Sequence, residues 1–300
     1  MTVTIGRTTA TLARPAQPAR RRSTERRRAR DLFVIVPTML ALGVVVFPVF
    51  WMVFTSLRPA SALATTPPPG QFFEGLGLDS YRRLFAGGTF ARYLLNSIGI
   101  SCASTSCTVV LASLAAFGLS RFRFKLRGAM LFIIIGTQLL PFVVLITPIY
   151  TLFSQVGLLN SYVGLIIVYV ALTLPLSIFL MLGYFDTIST VLDEAARMDG
   201  CSTLGVIFRI IIPVAIPGIV TVTVTAFIAT WEEYLFANVL LTSEALKTVQ
   251  VGLAGYFGEY STDWGVIMAA ATIAAIPTVA LFSVVQKRLV AGMAAGSVKE

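Results

Sequence analysis

Three carboxylates, Asp193, Glu194 and Asp199, lie in one seven-residue stretch with Ala195, Ala196 and Arg197 among them and Gly200 directly after. Acids clustered in this way can pair with a basic partner surface. Other chemistry is thinly supplied. The 300 residues include no histidine and three cysteines, which excludes a Ser-His-Asp triad and any His-ligated metal. Cys102 and Cys107 sit five apart in an apolar run and share a helix face poorly, so they are expected as small packing residues. No Gly-x-x-x-x-Gly-Lys-Ser/Thr phosphate loop occurs, so the chain is not expected to hydrolyse ATP. Gln138 is a large polar side chain amid apolar ones, and Tyr169, Thr173 and Ser177 recur at near-helical spacing. Each can meet a polar solute in a cavity or hold helices together.

The elements that carry these residues are membrane spans. Only 12% of the chain is charged and 56% is hydrophobic, whereas a bilayer-spanning helix needs about 20 apolar residues. Uncharged runs cover Leu32–Leu57, Tyr93–Ser120, Gly128–Phe185, Ile210–Trp231 and Trp264–Gln286. The third is 58 residues long and holds two spans, with a turn expected at Ser154–Ser161, where Gln155, Gly157 and Asn160 cluster. The expectation is an all-α membrane protein with six transmembrane helices. Its parts are a disordered basic cytoplasmic tail (1–31), a first helix (32–57), an extracytoplasmic segment (58–92), a five-helix core (93–288) with a cytoplasmic loop at 186–213, and a cytoplasmic C-terminal tail (289–300). Pro67-Pro68-Pro69-Gly70 marks a stiff turn in the extracytoplasmic segment, and Leu78–Phe85 a short interfacial helix.

Basic residues favour the cytoplasmic side. Eighteen of the 23 Lys and Arg fall in the N-terminal tail, in the loops at Arg121–Arg127 and 186–213 and from Lys287 to the end, against five on the opposite side. Both termini are therefore expected in the cytoplasm. The net charge of +9 comes largely from Arg14–Arg30, which reads as a lipid-facing anchor rather than a nucleic-acid patch. That tail and the apolar run after it resemble a signal peptide, but 26 uncharged residues exceed the usual hydrophobic region, so a retained helix is expected.

Within the 186–213 loop, Val191–Met198 consists of good helix formers, and Ala195 and Ala196 permit close backbone approach. Gly200 can take a left-handed conformation that stops the helix. Thr203–Ile212 is expected as a second helix, with Pro213 opening the next span. Glu194-Ala195-Ala196, three residues, Gly200, nine residues, then Ile210-Ile211-Ile212-Pro213 resembles the EAA signature of ATP-binding-cassette transporter membrane subunits, with Ile212 in the place of the usual Leu. Asn96-Ser97, Trp231-Glu232-Glu233-Tyr234-Leu235-Phe236 and the ending Gln286–Lys299 narrow the likeness. Together they resemble the smaller membrane subunit of maltose-type carbohydrate importers over roughly residues 32–300.

The resemblance implies a type I importer permease fold that moves a sugar or oligosaccharide inward by alternating access. A non-sugar solute, such as glycerol phosphate or an amino acid, is the alternative. It implies no cofactor in this chain, with ATP and Mg bound by a partner. The implied partners are a second permease, two ATPase subunits, an extracytoplasmic substrate-binding protein and lipid. Glu194, Ala195, Ala196, Asp199, Gly200 and Pro213 would meet the ATPase, as would Ala295, Gly296 and Ser297 in an extended tail. Gly252, Gly255, Tyr256 and Gly258 would probe the binding protein, although Tyr256 and Tyr260 equally suit lipid headgroups. Gln138, Tyr169, Thr173, Trp231 and Glu232 are candidates for the translocation path. The family often has Asn where Glu232 stands. No span carries Lys or Arg at its centre, which disfavours a fixed anionic substrate.

Overall fold

The computed structural model describes residues 21–59, 63, 73–257 and 262–296, with side chains described outside 21–32 and 284–296. Every regular element among these residues is helical. The chain divides into two compact units, Met1–Trp51 and Met52–Glu300. Helix α1 (Arg21–Leu57) supplies the described part of the first. Its side chains from Phe33 to Phe50 are exposed, as an apolar helix meant for lipid requires. Residues 21–31 are helical where a disordered tail was expected, because Arg and Glu are themselves good helix formers. Residues 1–20 lie outside the described part.

The second unit contains α2 (Asp79–Phe85), α3 (Thr89–Arg121), α4 (Arg127–Thr137), a 3-10 turn (Phe142–Leu145), α5 (Ile146–Val156) and α6 (Tyr162–Phe185). Then come α7 (Val191–Met198), α8 (Thr203–Val214), α9 (Ile216–Trp231), α10 (Leu235–Leu240), α11 (Val249–Ala254) and α12 (Trp264–Gly296). Phe33–Leu57, α3, α6 and Trp264–Ser283 are long and apolar enough to cross a membrane. Two bent pairs complete a count of six when each pair is taken as one span: α4 with Phe142–Val156, and α8 with α9.

Both bends fall beside prolines. The first pair turns by 92°, since Leu140 precedes Pro141 and is steered away from helical backbone. Gln138 therefore stands at a break, as the C-cap of α4, and not in mid-helix. The second pair turns by 82° at Ala215. Pro213 has no N–H for the carbonyl of Arg209, and the preceding turn, Ile207–Ile211, is a π-helix. Pro213 thus lies inside α8, and Pro217 opens the next span.

Helices α3 and α6 form the most extensive pair. Small residues permit the approach: Ser104, Thr108, Ala112 and Ala116 of α3 are buried, and Thr108 Oγ1 lies 2.9 Å from Thr173 Oγ1 across the interface. Cys102 and Cys107 are exposed, so they do not pack inside this chain as expected. The predicted turn is present, with Gly157 left-handed at φ 72°, Asn160 at φ 55° and Ser161 Oγ accepting from Gly164 N at 3.0 Å to cap α6. The expected extended C-terminal tail is instead helical through Gly296, consistent with its alanines, while Ser297 lies outside the described residues.

Candidate functional site

At one end of the bundle the signature builds a short, outward-facing helix. Asp193 and Ala196 turn α7 inward. The side chains of Asp193 and of Arg121, at the end of α3, are 8% and 6% exposed, and Arg121 Nε lies 2.5 Å from Asp193 Oδ2. The contact is an ion pair by distance without hydrogen-bond alignment, and Asp193 Oδ1 is buried with no hydrogen-bond partner. Arg121 also donates from Nη1 to the Phe185 carbonyl at 3.3 Å and from Nη2 to the Ile188 carbonyl at 3.0 Å. Carbonyls at a helix end lack partners within the helix, and the guanidinium fork supplies them. Ser120 Oγ donates to Asp186 Oδ1 at 2.5 Å beside it.

Ala196 packs into the core with Phe185, Val206 and Ile211, so it seats α7 on its own bundle. This corrects its expected place in a partner contact. Glu194, Ala195, Arg197 and Asp199 are exposed, and so are Val191, Met198, Leu204 and Phe208. Acidic groups thus stand among apolar ones on a face that the described residues leave uncovered. Gly200 takes φ 81°, Gly200 N donates to Arg197 O at 3.1 Å and Cys201 N to Ala196 O at 3.0 Å. This is a Schellman end, and it requires the left-handed residue that glycine supplies. Ser202 then caps α8 by accepting from Gly205 N at 3.2 Å. Pro213 is exposed on α8.

Within the bundle, a cavity of about 220 Å³ is lined by Gln138, Tyr169, Thr173, Ser177, Thr230 and Glu233 among apolar neighbours. Three of the expected path residues are therefore brought together. The other two are not. Trp231 is buried, donates its indole N–H to the Ala274 carbonyl at 3.0 Å and stacks on Phe227, so it joins α9 to α12. Glu232 is exposed in a separate cleft with Gln250 and Thr278.

Glu233 was not singled out as a site residue, yet it organises this cavity. Its carboxylate accepts from Phe236 N at 2.8 Å, Ala237 N at 3.1 Å and Tyr169 Oη at 3.0 Å, so it caps α10 and fixes the phenol together. The legible signal was an acid two residues before the first turn of a short helix.

At the opposite end, Asn96 Nδ2 donates to the carbonyls of Ala245 and Lys247 at 3.0 and 2.9 Å, and Ser97 Oγ accepts from Val249 N at 2.7 Å. Asn96-Ser97 thus straps the α10–α11 connection to α3. Tyr93 Oη donates to Glu244, which also pairs with Lys247. Gly252 was expected in a flexible probe, but it is buried in α11 against the Tyr93 ring, where a Cβ would collide. Gly255 and Tyr256 line an open cleft of about 310 Å³ with Arg83, Thr89 and Lys247. Burial, and then the charge of Glu244, raise the Tyr256 phenol above its ordinary pKa. Gly258 and Tyr260 lie outside the described residues.

A helical bundle with bent spans, a cavity holding a few polar side chains in an apolar wall and a signature helix presented at one end defines a membrane component of a transport system. The chain belongs to the family described as binding-protein-dependent transport system inner membrane component, which matches residues 108–295. It is 33% identical to a sulfoquinovosyl glycerol transport system permease protein of Agrobacterium fabrum, over 89% of this chain and 93% of the relative. It is 34% identical to a trehalose transport system permease protein of Mycobacterium tuberculosis, over 90% and 98%. A chain of a bacterial ABC transporter that imports the acidic polysaccharide alginate superposes with a TM-score of 0.76 at 24% identity, over 87% of this chain and 97% of that one. That likeness shows the fold: an all-α ABC importer permease.

Proposed function

We propose that this chain is one permease of an ATP-driven importer for a carbohydrate, a sugar or an oligosaccharide. The observation that carries the substrate class is the cavity in which hydroxyl, phenol and amide groups of Gln138, Tyr169, Thr173, Ser177 and Thr230 and the Glu233 carboxylate stand in a mostly apolar wall, with no Lys or Arg in the lining. Such groups suit polyhydroxylated solutes, and buried donors and acceptors discriminate against solutes that leave them unpaired. The named substrates of the trehalose and sulfoquinovosyl glycerol relatives support a sugar over glycerol phosphate or an amino acid.

The exposed face of α7, with Glu194, Ala195, Asp199 and the turn at Gly200, meets an ATPase that binds ATP and Mg in its own subunit. The bias of Lys and Arg supports placing this face and both termini in the cytoplasm. A second permease, two ATPase copies and an extracytoplasmic binding protein complete the assembly within the lipid bilayer, with no role for nucleic acid. The test is to purify the intact complex, capture its binding protein and identify the bound ligand by mass spectrometry. A saccharide is expected; an amino acid or a glycerol phosphate would overturn the substrate class.

A further inference from the structure

The Arg121–Asp193 pair has a position that the docking of α7 does not by itself require. It lies on the inner side of α7, away from the exposed Glu194 face, and joins three elements at one guanidinium: the end of α3, the end of α6 and the turn after it through the Phe185 and Ile188 carbonyls, and α7 through Asp193. A buried ion pair seldom adds much net stability, because desolvation opposes the attraction, but losing one partner strands a charge. Asp193 Oδ1 has no hydrogen-bond partner even in the intact pair, so positioning is what the arrangement achieves. One of the joined helices, α6, lines the cavity with Tyr169, Thr173 and Ser177, and Thr108 of α3 bonds to Thr173 behind it.

We propose that Arg121 and Asp193 are positioning residues that make α7, the end of α3 and the end of α6 one mechanical unit, so that movement imposed on α7 reaches the cavity wall without slack. The inference rests on the reading that a partner ATPase drives α7. Neither residue touches the solute; both act through the helices they join. Arginine is needed here because a planar fork can serve a carboxylate and two carbonyls at once, which a lysine ammonium cannot do with the same geometry.

The test uses the complete complex with its ATPase, in a background lacking Cys102, Cys107 and Cys201. Spin labels at Lys125, in the exposed loop after α3, and at Ser189, exposed just before α7, report the spacing across the pair by dipolar spectroscopy. The wild type is expected to show one narrow distance that is unchanged between nucleotide-free and vanadate-trapped complexes. Asp193→Asn is expected to broaden it and to lower transport per ATP hydrolysed on the order of tenfold, within the range typical of coupling between sites. Arg121→Lys is expected to restore only part of the function of Arg121→Gln. The double variant Arg121→Gln/Asp193→Asn is expected to be milder than the sum of the singles, because no charge is left stranded.

A wild-type distance that changes on trapping overturns the proposal. So does an Asp193→Asn complex with a narrow distance and wild-type transport per ATP, even at reduced yield. Failure of the docking reading is recognised separately: a cysteine at Glu194 would then form no cross-link to the co-purified ATPase, while the distance measurement would still report on the strut.

Discussion

Gly252 of α11 lies flat against the Tyr93 ring of α3, so close that even a methyl group would overlap the ring. The α10–α11 connection is therefore clamped to α3, with Asn96 and Ser97 holding the backbone on the same side. Gly252→Val should destabilise the solubilised protein by about 1–3 kcal/mol, the usual cost of overpacking, read as a lower thermal midpoint. The same substitution combined with Tyr93→Ala should cost less than the two singles together. Equal additive losses would show that the contact is not the cause.

Glu233 and Tyr169 make the second prediction. Glu233→Ala removes the cap of α10, costing about 1 kcal/mol, and frees the Tyr169 hydroxyl. Tyr169→Phe leaves the cap in place and removes only the hydroxyl. Uptake kinetics should therefore separate them, with Tyr169→Phe raising KM at near-normal thermal stability and Glu233→Ala lowering both stability and kcat/KM. Identical profiles would deny the cavity any role in holding solute.

Tyr256 gives a pH dependence. Its pKa is raised from 10.0 by burial and by the charge of Glu244. A phenol whose folded pKa lies above its unfolded value keeps its proton more firmly in the fold, so its contribution is complete below pH 10.0 and is lost as pH rises through the higher folded value. Denaturation midpoints of the wild type and Tyr256→Phe should therefore differ by a constant amount below pH 10.0 and shift in favour of Tyr256→Phe above it. A constant difference across the alkaline range would contradict the assignment.

Orientation is tested by chemistry at exposed positions. Cysteines replacing Arg82 and Ala245, both exposed, should react with an impermeant maleimide on intact cells, whereas one replacing Ser202 should react only after lysis. Labelling of Ser202→Cys in intact cells would invert the arrangement.

Much of this organisation was legible in local pattern. The five uncharged runs, the turn within Ser154–Ser161 and the stop at Gly200 all depend on residues close in sequence, and each appears where their chemistry places it. Direction was less legible. An uncharged run specifies how much chain can enter a bilayer but not where it bends, so the breaks at Gln138–Pro141 and Ala215 appear only in the structure. The Arg121–Asp193 pair joins residues far apart in sequence, and its two members look like a topology charge and a loop acid until folding brings them together. Gly252 misled for a different reason: a glycine permits flexibility and also permits close packing, and here the Tyr93 ring decides for packing. Of the acidic pair, Glu232 was expected on the path, whereas the structure gives the cavity to Glu233, which caps α10 two residues before its start.

The most direct test of the account is uptake into proteoliposomes holding the complete complex, with ATP enclosed and the loaded binding protein outside. The predicted result is accumulation of a labelled saccharide above its external concentration, dependent on ATP and on the binding protein. In Gly200→Val complexes, where the left-handed turn after α7 is forced onto a β-branched residue, hydrolysis should continue with transport per ATP sharply reduced. Saccharide that only equilibrates without ATP, or Gly200→Val complexes that accumulate it with wild-type transport per ATP, would contradict the claim that α7 couples an external motor to this pore.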